Sequence, residues 1–454
     1  MAPMRRLLLP AALLATALAL LPAQASAAPP PVKHVWLLML ENQDYDASFG
    51  ADGGSPYLAQ ELPRQGELLT QYFATTHESL GNYIALVSGQ ASNPETQSDC
   101  QIYREFTPGT IGADGQALGT GCVFPAGVKS IADQLDAKGL GWKGYMEDMP
   151  APCSHPALNS RDSTQSATKD SQYATRHNPF MYFHSVIDSP SCAQNDVPLD
   201  RLTTDLQSSA SSPALGFITP DLCSDGHDKP CADGRPGGLD SVDVFLREWV
   251  PRITGSPAYK DGGMLIVTFD EAAKDASACC NQPQGPNTPN NGGPTPGRGG
   301  GRIGAVVLSQ FVKPGTANAT PYNHFALLRS VEDLYGLDHL GFAARDDLKP
   351  FGDDVYSNPS GVALPAPRAP HARFGGVPKR CVSGRFKVRY SVGTRAIGRV
   401  DVSVDGRRVK RLTKRRASVT IDARKLKRGR HTLKATVVAK SGLAGSRSAT
   451  FKRC

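Results

Sequence analysis

Four continuous apolar runs, Val35 to Leu40, Phe217 to Thr219, Met264 to Phe269 and Ala305 to Leu308, punctuate the chain, and each breaks off at a polar turn. Short runs without polar alternation leave no face for water, so they predict strands covered on both sides, as in a mainly parallel sheet. Helical periodicity takes over between them. Ser130 to Lys138 places Ile131 and Leu135 on one face before Gly139, and Ser241 to Ile253 carries Phe245 and Trp249. Asn323 is placed to cap a helix holding Leu327, Leu328, Val331 and Leu334 that ends at Gly336. Strands alternating with helices predict a doubly wound α/β domain with helices on both faces of its sheet. Residues 281–301 are too rich in Pro, Gly and Asn for either element and read as a mobile surface loop.

Past Pro365 the texture changes. The stretch 365–376 reads as a linker, and beyond it short alternating segments such as Phe386 to Val392, Val400 to Val404, Ala417 to Ile421 and Thr432 to Val438 are separated by turns such as Asp405-Gly406 and Arg428-Gly429. This pattern predicts a small immunoglobulin-like β-sandwich over 377–454. Charge supports the division. Residues 377–454 carry 24 Lys and Arg against 3 Asp and Glu, so the overall +8 conceals a tail of +21 and a remainder of −13. The basic excess sits apart from the larger domain, 29–364, which argues against specific nucleic-acid binding there and predicts electrostatic contact of the tail with anionic cell wall or lipid headgroups.

Residues 1–28 read as a secretory signal: Arg5 and Arg6 precede an apolar run from Leu7 to Leu21, followed by small residues around Ala23 to Ala28. That run is shorter than a membrane span needs, so a secreted protein, extracellular or wall-associated and without a transmembrane segment, is expected. Ten cysteines in an exported chain favour disulfides. Cys223 and Cys231 can close a local loop, and Cys381 and Cys454 can staple the last segment.

Chemistry concentrates where the strands end. Val35–Leu40 runs into Glu41-Asn42, Met264–Phe269 into Asp270-Glu271, and Phe217–Thr219 into a loop with Asp221, Asp225, His227 and Asp228. Ligands of open α/β sheets bind outside the carboxyl ends of the strands, so these groups should share one crevice. Glu41, Asn42, Asp270 and Glu271 make a hard-oxygen set suited to a divalent cation. A second constellation, Thr75-Thr76-His77-Glu78-Ser79-Leu80-Gly81-Asn82, precedes the apolar Ile84 to Val87. A hydroxyl at a helix start faces free N–H groups, a ready phosphoryl site, although an ordinary capping serine looks the same in isolation. A cation on the Ser79 oxygen would turn a poor nucleophile into a good one. Other motifs fail. His77-Glu78 lacks the second histidine of a zinc-protease helix, Val87-Ser88-Gly89 lacks the flanking glycine of a nucleophile elbow, and the glycines at 299–301 lead into no P-loop lysine.

Taken in order, LENQDYDASFG, THESLGNYIALVSGQ, GYMEDMP, RHNPFMYF, the SDGHD loop, LIVTFDEA and YNHFALLRSVEDLYGL resemble the bacterial phosphoesterase family of secreted acid phosphatases and phospholipases C, from about Lys33 to Leu340. The resemblance implies an alkaline-phosphatase-like α/β/α sandwich and a phosphate-ester substrate. It implies that Glu41, Asn42, Asp270 and Glu271 bind the metal, that Ser79 attacks phosphorus, and that Asn82 contacts a phosphate oxygen. By the same token His227 binds phosphate or protonates the leaving oxygen with Asp225 or Asp228 orienting it, Asp225 also lies against the substrate, and His77 and His177, with His324, line the pocket. The chain departs from the family in one place: relatives commonly read His-Pro-Ser-x-Pro-Asn, and Glu78 and Gly81 stand where the prolines would be.

The expected activity is acid-phosphatase hydrolysis of phosphomonoesters through a phosphoserine, with Mg, Mn, Ca or Zn as the ion. A phospholipase C or phosphodiesterase on the same core is the alternative within enzymes. A non-catalytic cell-surface binding protein is the alternative outside them.

Overall fold

A computed structural model describes residues 28–454 other than Arg395; all but the last residue of the leader read over 1–28 lies outside them. The apolar runs form the centre of an eight-stranded sheet. In chain order its strands are β1 (His34–Leu40), β2 (Glu67–Leu69), β3 (Trp142–Met146), β4 (Asp196–Pro198), β5 (Leu215–Thr219), β6 (Gly263–Phe269), β7 (Ala305–Ser309) and β8 (Thr316–Asn318). They lie in the order β8-β2-β7-β6-β1-β5-β3-β4. β1 pairs in parallel with β5 and β6, and β7 is antiparallel to both its neighbours. Every residue of β1 and β6 is buried, which explains their unbroken apolar character.

Four helices matter for the site. They are α1 (Ser79–Ser88), α2 (Ile131–Ala137), α3 (Gly238–Gly255) and α4 (His324–Tyr335). The expected caps are in place. Ser130 and Asp133 close a reciprocal capping box on α2, Asn323 accepts from the Ala326 N–H at 3.0 Å on α4, and Gly336 ends α4 at φ 60°. α1 packs on α4 against the sheet, whereas α3 contacts β6 and the 57–61 turn. Among the described residues no helix is long and apolar enough to cross a membrane.

The C-terminal segment is a two-sheet sandwich with its own core, including Val388, Tyr390, Val400, Val402, Leu433, Val437 and Phe451. Its strands are β9 (Ala372–Gly375), β10 (Arg385–Val392), β11 (Ile397–Val404), β12 (Arg407–Leu412), β13 (Arg416–Asp422), β14 (Gly429–Ala439) and β15 (Ala444–Arg453). One sheet runs β9-β10-β13 and the other β12-β11-β14-β15. β9 falls inside the stretch read as linker: Ala372 pairs with Val392 and buries its methyl group, so the connecting segment is shorter than composition alone suggests. The ten cysteines form five disulfides, Cys100–Cys122, Cys153–Cys192, Cys223–Cys231, Cys279–Cys280 and Cys381–Cys454.

Residues 281–301 have no regular structure but are pinned rather than free. Gln97 donates to the Asn290 carbonyl at 2.8 Å, Asn287 to the Ala117 carbonyl at 2.7 Å, and Gln282 to the Thr75 carbonyl at 2.6 Å. The asparagines and glutamines that disfavour helix and strand supply the hydrogen bonds that fasten this segment beside the Ser79 loop.

One buried carboxyl gives the fold a pH dependence. Asp196, fully buried at the start of β4, accepts from Asn178 at 2.9 Å through one oxygen while the other has no partner, and burial raises its pKa to about 8. An unfolded aspartate ionises near about 3.9, so the folded state keeps a proton that the unfolded state releases. The stability from this group is fully present below about pH 4 and is lost as pH rises towards about pH 8, at up to about 1.4 kcal/mol per pH unit. Asp196→Asn should flatten that decline in urea titrations across the window. An unchanged slope would contradict the assignment.

Candidate active site

The register of β1 on β6 sets Leu40 beside Phe269, so Glu41 and Asp270 leave the sheet side by side. Backbone bonds lock the exits together: Asp270 N–H donates to the Leu40 carbonyl at 2.9 Å, Glu41 N–H to the Asp225 carbonyl at 2.9 Å, and Gln43 N–H to the Glu271 carbonyl at 3.1 Å. Asn42, at φ 59°, turns its N–H to Asp270 Oδ1 at 3.0 Å. Three strand ends thus deliver Glu41, Asp225, Asp270 and Glu271 to one buried spot.

Ser79 is the first residue of α1, and its Oγ donates to Glu41 Oε1 at 2.7 Å. The hydroxyl is free for this because Asp99 takes over the cap: its Oδ1 accepts from the Leu80 N–H at 3.0 Å, and its Oδ2 lies 3.4 Å from Arg176 Nε. Burial raises the Asp99 pKa to about 7 against the pull of Arg176. Neither Asp99 nor Arg176 stood out in the sequence.

The histidines separate by role. His177 Nε2 lies 2.5 Å from Glu41 Oε2 and its Nδ1 3.6 Å from Asp225 Oδ2, while Tyr83 stacks on the ring at 5.2 Å. Burial lowers the His177 pKa, with Glu41 opposing, and a neutral imidazole can ligate a cation. His77 Nδ1 meets Glu271 Oε2, and its Nε2 faces the Asp275 carbonyl at 3.1 Å. His324 is a brace: buried, with its pKa down to about 4, it joins Tyr72 Oη at 3.0 Å to the Asp270 carbonyl at 2.7 Å. His227 is half-exposed with Nδ1 3.2 Å from Asp228 Oδ1, and its backbone N–H donates to Asp225 Oδ1 at 3.0 Å.

Asn82 is fully engaged within the loop. Its Oδ1 accepts from Thr75 N–H, Thr75 Oγ1 and Thr76 N–H at 2.9, 3.0 and 3.1 Å, and its Nδ2 donates to the Thr76 and Glu78 carbonyls at 2.9 and 3.3 Å. This staple ties the 75–78 segment to α1. Replacing Asn82 with Ala should cost about 2–4 kcal/mol, several buried bonds at about 1 kcal/mol each, and lower kcat more than it raises KM. Wild-type stability in chemical denaturation would contradict the staple.

The residues fit a cation. Glu41 Oε2, Asp225 Oδ2, Asp270 Oδ2, Glu271 Oε2 and both His177 nitrogens are buried without an aligned hydrogen bond. Burial, then repulsion from Glu41, pushes the Asp225 and Asp270 carboxyls well above the usual range, and burial does the same to Glu271. Buried carboxylates and an imidazole converging without aligned hydrogen bonds are the donor set an ion satisfies. Ligand atoms of Glu41, His177 and Asp225 fall within 4.8 Å of one another. His177 and Asp225, expected to contact substrate, therefore share Glu41 with Ser79, while Asp270 accepts from the Asn42 N–H and Glu271 meets His77.

The chain belongs to the Phosphoesterase family, whose profile matches residues 55–338. It is 25% identical over 312 residues to a probable acid phosphatase of Kluyveromyces lactis, spanning 68% of this chain and 59% of that protein. It is 26% identical over 310 residues to an acid phosphatase of Aspergillus fumigatus, spanning 68% and 55%. A phosphatidylinositol-3-phosphatase of Mycobacterium tuberculosis is 26% identical over 319 residues, 70% of this chain and 82% of that one. The chain thus spans under two thirds of the fungal proteins. Among solved structures, a Vibrio parahaemolyticus protein of the alkaline phosphatase superfamily overlays with a TM-score of 0.44 at 12% identity, covering 93% of this chain and 85% of that one.

Proposed function

We propose that the protein is a secreted, metal-dependent phosphoesterase that hydrolyses phosphomonoesters, as an acid phosphatase does, with Ser79 as nucleophile. The 2.7 Å bond from Ser79 Oγ to Glu41, at the meeting point of three strand ends, carries this reading. A divalent cation held by Glu41, His177 and Asp225 on one side, or by Asp270 and Glu271 with Asn42 on the other, would supply positive charge to neutralise the phosphoryl oxygens and lower the Ser79 pKa. An imidazole in the set favours zinc over magnesium, manganese or calcium.

The chain's own groups divide the work. Glu41 holds Oγ in line, and the start of α1 contributes its positive dipole end to the phosphoryl group. Ser79 Oγ passes its proton to Glu41, the acceptor of its hydrogen bond, as it bonds to phosphorus and the ester oxygen departs, and His227, held by Asp228, gives that oxygen its proton. Water then attacks phosphorus and gives a proton to the deprotonated His227, while Ser79 leaves as the hydroxyl by taking its proton back from Glu41.

Five disulfides suit an oxidising exterior, in keeping with export. A phospholipase C or phosphodiesterase would need room for a second ester substituent. p-Nitrophenyl phosphate should be turned over at least about 100-fold faster (kcat/KM) than its bis-ester, about 2.7 kcal/mol of discrimination. Equal rates would shift the reading to diesters.

A further inference from the structure

Among the described residues the sandwich meets the larger domain through the β12-β11-β14-β15 sheet. Thr436 Oγ1 donates to Asp52 Oδ1 at 2.7 Å, Lys434 lies 3.5 Å from the same carboxylate, and Arg399, Asp401 and Arg411 share a cavity with Tyr45 and Phe49. The other sheet, β9-β10-β13, turns its outer face away. Its alternation is clean: Val388, Tyr390, Val392, Val419 and Ile421 point inward, and Arg373, Arg389, Arg416 and Ser418 are exposed.

The strand register arranges these exposed groups. Arg373 is opposite Ser391, which is opposite Arg416; two residues on, Gly375 is opposite Arg389, which is opposite Ser418. Arginines therefore occupy the outer strands in one row and the central strand in the next, and small residues fill the positions between. With strands about 4.8 Å apart and next-but-one residues about 6.6 Å apart, the three arginines form a triangle around two hydroxyls. A groove of about 460 Å³ lies there, and a methyl group at Gly375 would touch nothing. Among the described residues none of the three guanidiniums has a carboxylate partner. The one acidic residue on this face, Asp422, is paired with Arg385 and Arg424. Lys387 continues the row along β10 opposite Thr420.

We propose that this groove is an anchoring site for a linear phosphodiester polymer of the extracellular envelope. Several guanidiniums around hydroxyls suit a tetrahedral oxyanion with oxygens on all sides, whereas a carboxylate occupies one guanidinium. The charge row along β10 suits a chain of phosphates rather than one. The outward positions carry no aromatic or aliphatic side chain. Phe374 and Tyr390 line the groove from the inward positions and offer no exposed ring for a base or an acyl chain, which favours the polymer over nucleic acid or membrane. The site faces away from the domain holding Ser79, so it localises the enzyme and does not feed it substrate.

The test uses the full mature chain on immobilised poly(glycerol phosphate), with single-stranded DNA and anionic phospholipid vesicles as other probes and p-nitrophenyl phosphate turnover run alongside. Arg373→Gln/Arg389→Gln/Arg416→Gln should weaken polymer binding at least about tenfold and reduce the salt slope of log affinity by about 2 to 3, with turnover unchanged. The equally charged control Arg407→Gln/Arg408→Gln/Lys410→Gln on β12 should change affinity less than about threefold. Equal losses in both variants would mean diffuse charge and overturn the site. Tighter binding to DNA or vesicles than to the polymer, or no polymer binding by wild type, would overturn the occupant. If the triple variant melts below wild type, Arg389→Gln alone is read, with a several-fold loss expected and none overturning the site. Turnover reports the catalytic reading separately, so either can fail alone.

Discussion

Ser79→Ala is expected to remove at least about 1,000-fold of kcat/KM on p-nitrophenyl phosphate, the scale on which a covalent nucleophile acts as a unit with its neighbours. The fold should survive. Ser79 is buried, but its hydroxyl interacts with the carboxylates of Glu41 and Asp270 and not with the helix backbone, and the α1 cap is supplied by Asp99. Deleting one hydroxyl at the helix start should leave the melting temperature within a few degrees, because the Leu80 N–H keeps its acceptor. Circular dichroism melts and steady-state rates on the same preparation check both halves. A variant that keeps tenth-strength turnover would place the nucleophile elsewhere.

Asp270→Asn is expected to separate stability from activity. Asp270 Oδ1 accepts from the Asn42 and Glu271 N–H groups at 3.0 and 2.6 Å, and an amide oxygen can keep both bonds. What the change removes is one negative charge from a buried set that also holds Glu41, Asp225 and Glu271. In chelator the variant should therefore be more stable than wild type by about 1–2 kcal/mol, since like charges crowded in low dielectric oppose folding. In zinc the order should reverse. Wild type gains stability with ion concentration by mass action, and Asp270→Asn gains little and loses at least about 100-fold in turnover. Denaturation with and without ion measures this crossing. Parallel curves for the two proteins would mean that Asp270 faces no cation.

The strand ends were legible because burial on both faces writes itself as unbroken apolar residues, and the first polar residue after such a run marks the edge of the sheet. Glu41 and Asp270 follow from that alone, whereas Asp225 was one of several candidates in the loop after β5. Asp405-Gly406, at φ 48° and 78°, turns as its residue types require. What escaped the sequence lacks such a signature. β12 is almost wholly exposed, so Arg407 to Leu412 has no apolar alternation to report. The meeting of His177 with Glu41 depends on how the loop after β3 returns over the sheet, and an isolated histidine says nothing about that. Asp99 caps α1 from another loop, which local capping patterns cannot reveal. The 281–301 composition excludes helix and strand but does not say that its amides find partners around the Ser79 loop.

The central claim is covalent: during turnover the phosphoryl group rests on Ser79. Mixing metal-loaded enzyme with excess phosphomonoester, quenching in acid within the first turnovers and mapping the digest by mass spectrometry tests it directly. The account predicts one phosphoryl group on Ser79, absent from Ser79→Ala and from chelated enzyme. A full burst of released alcohol with no phosphate on Ser79, or with phosphate on another residue, would contradict it.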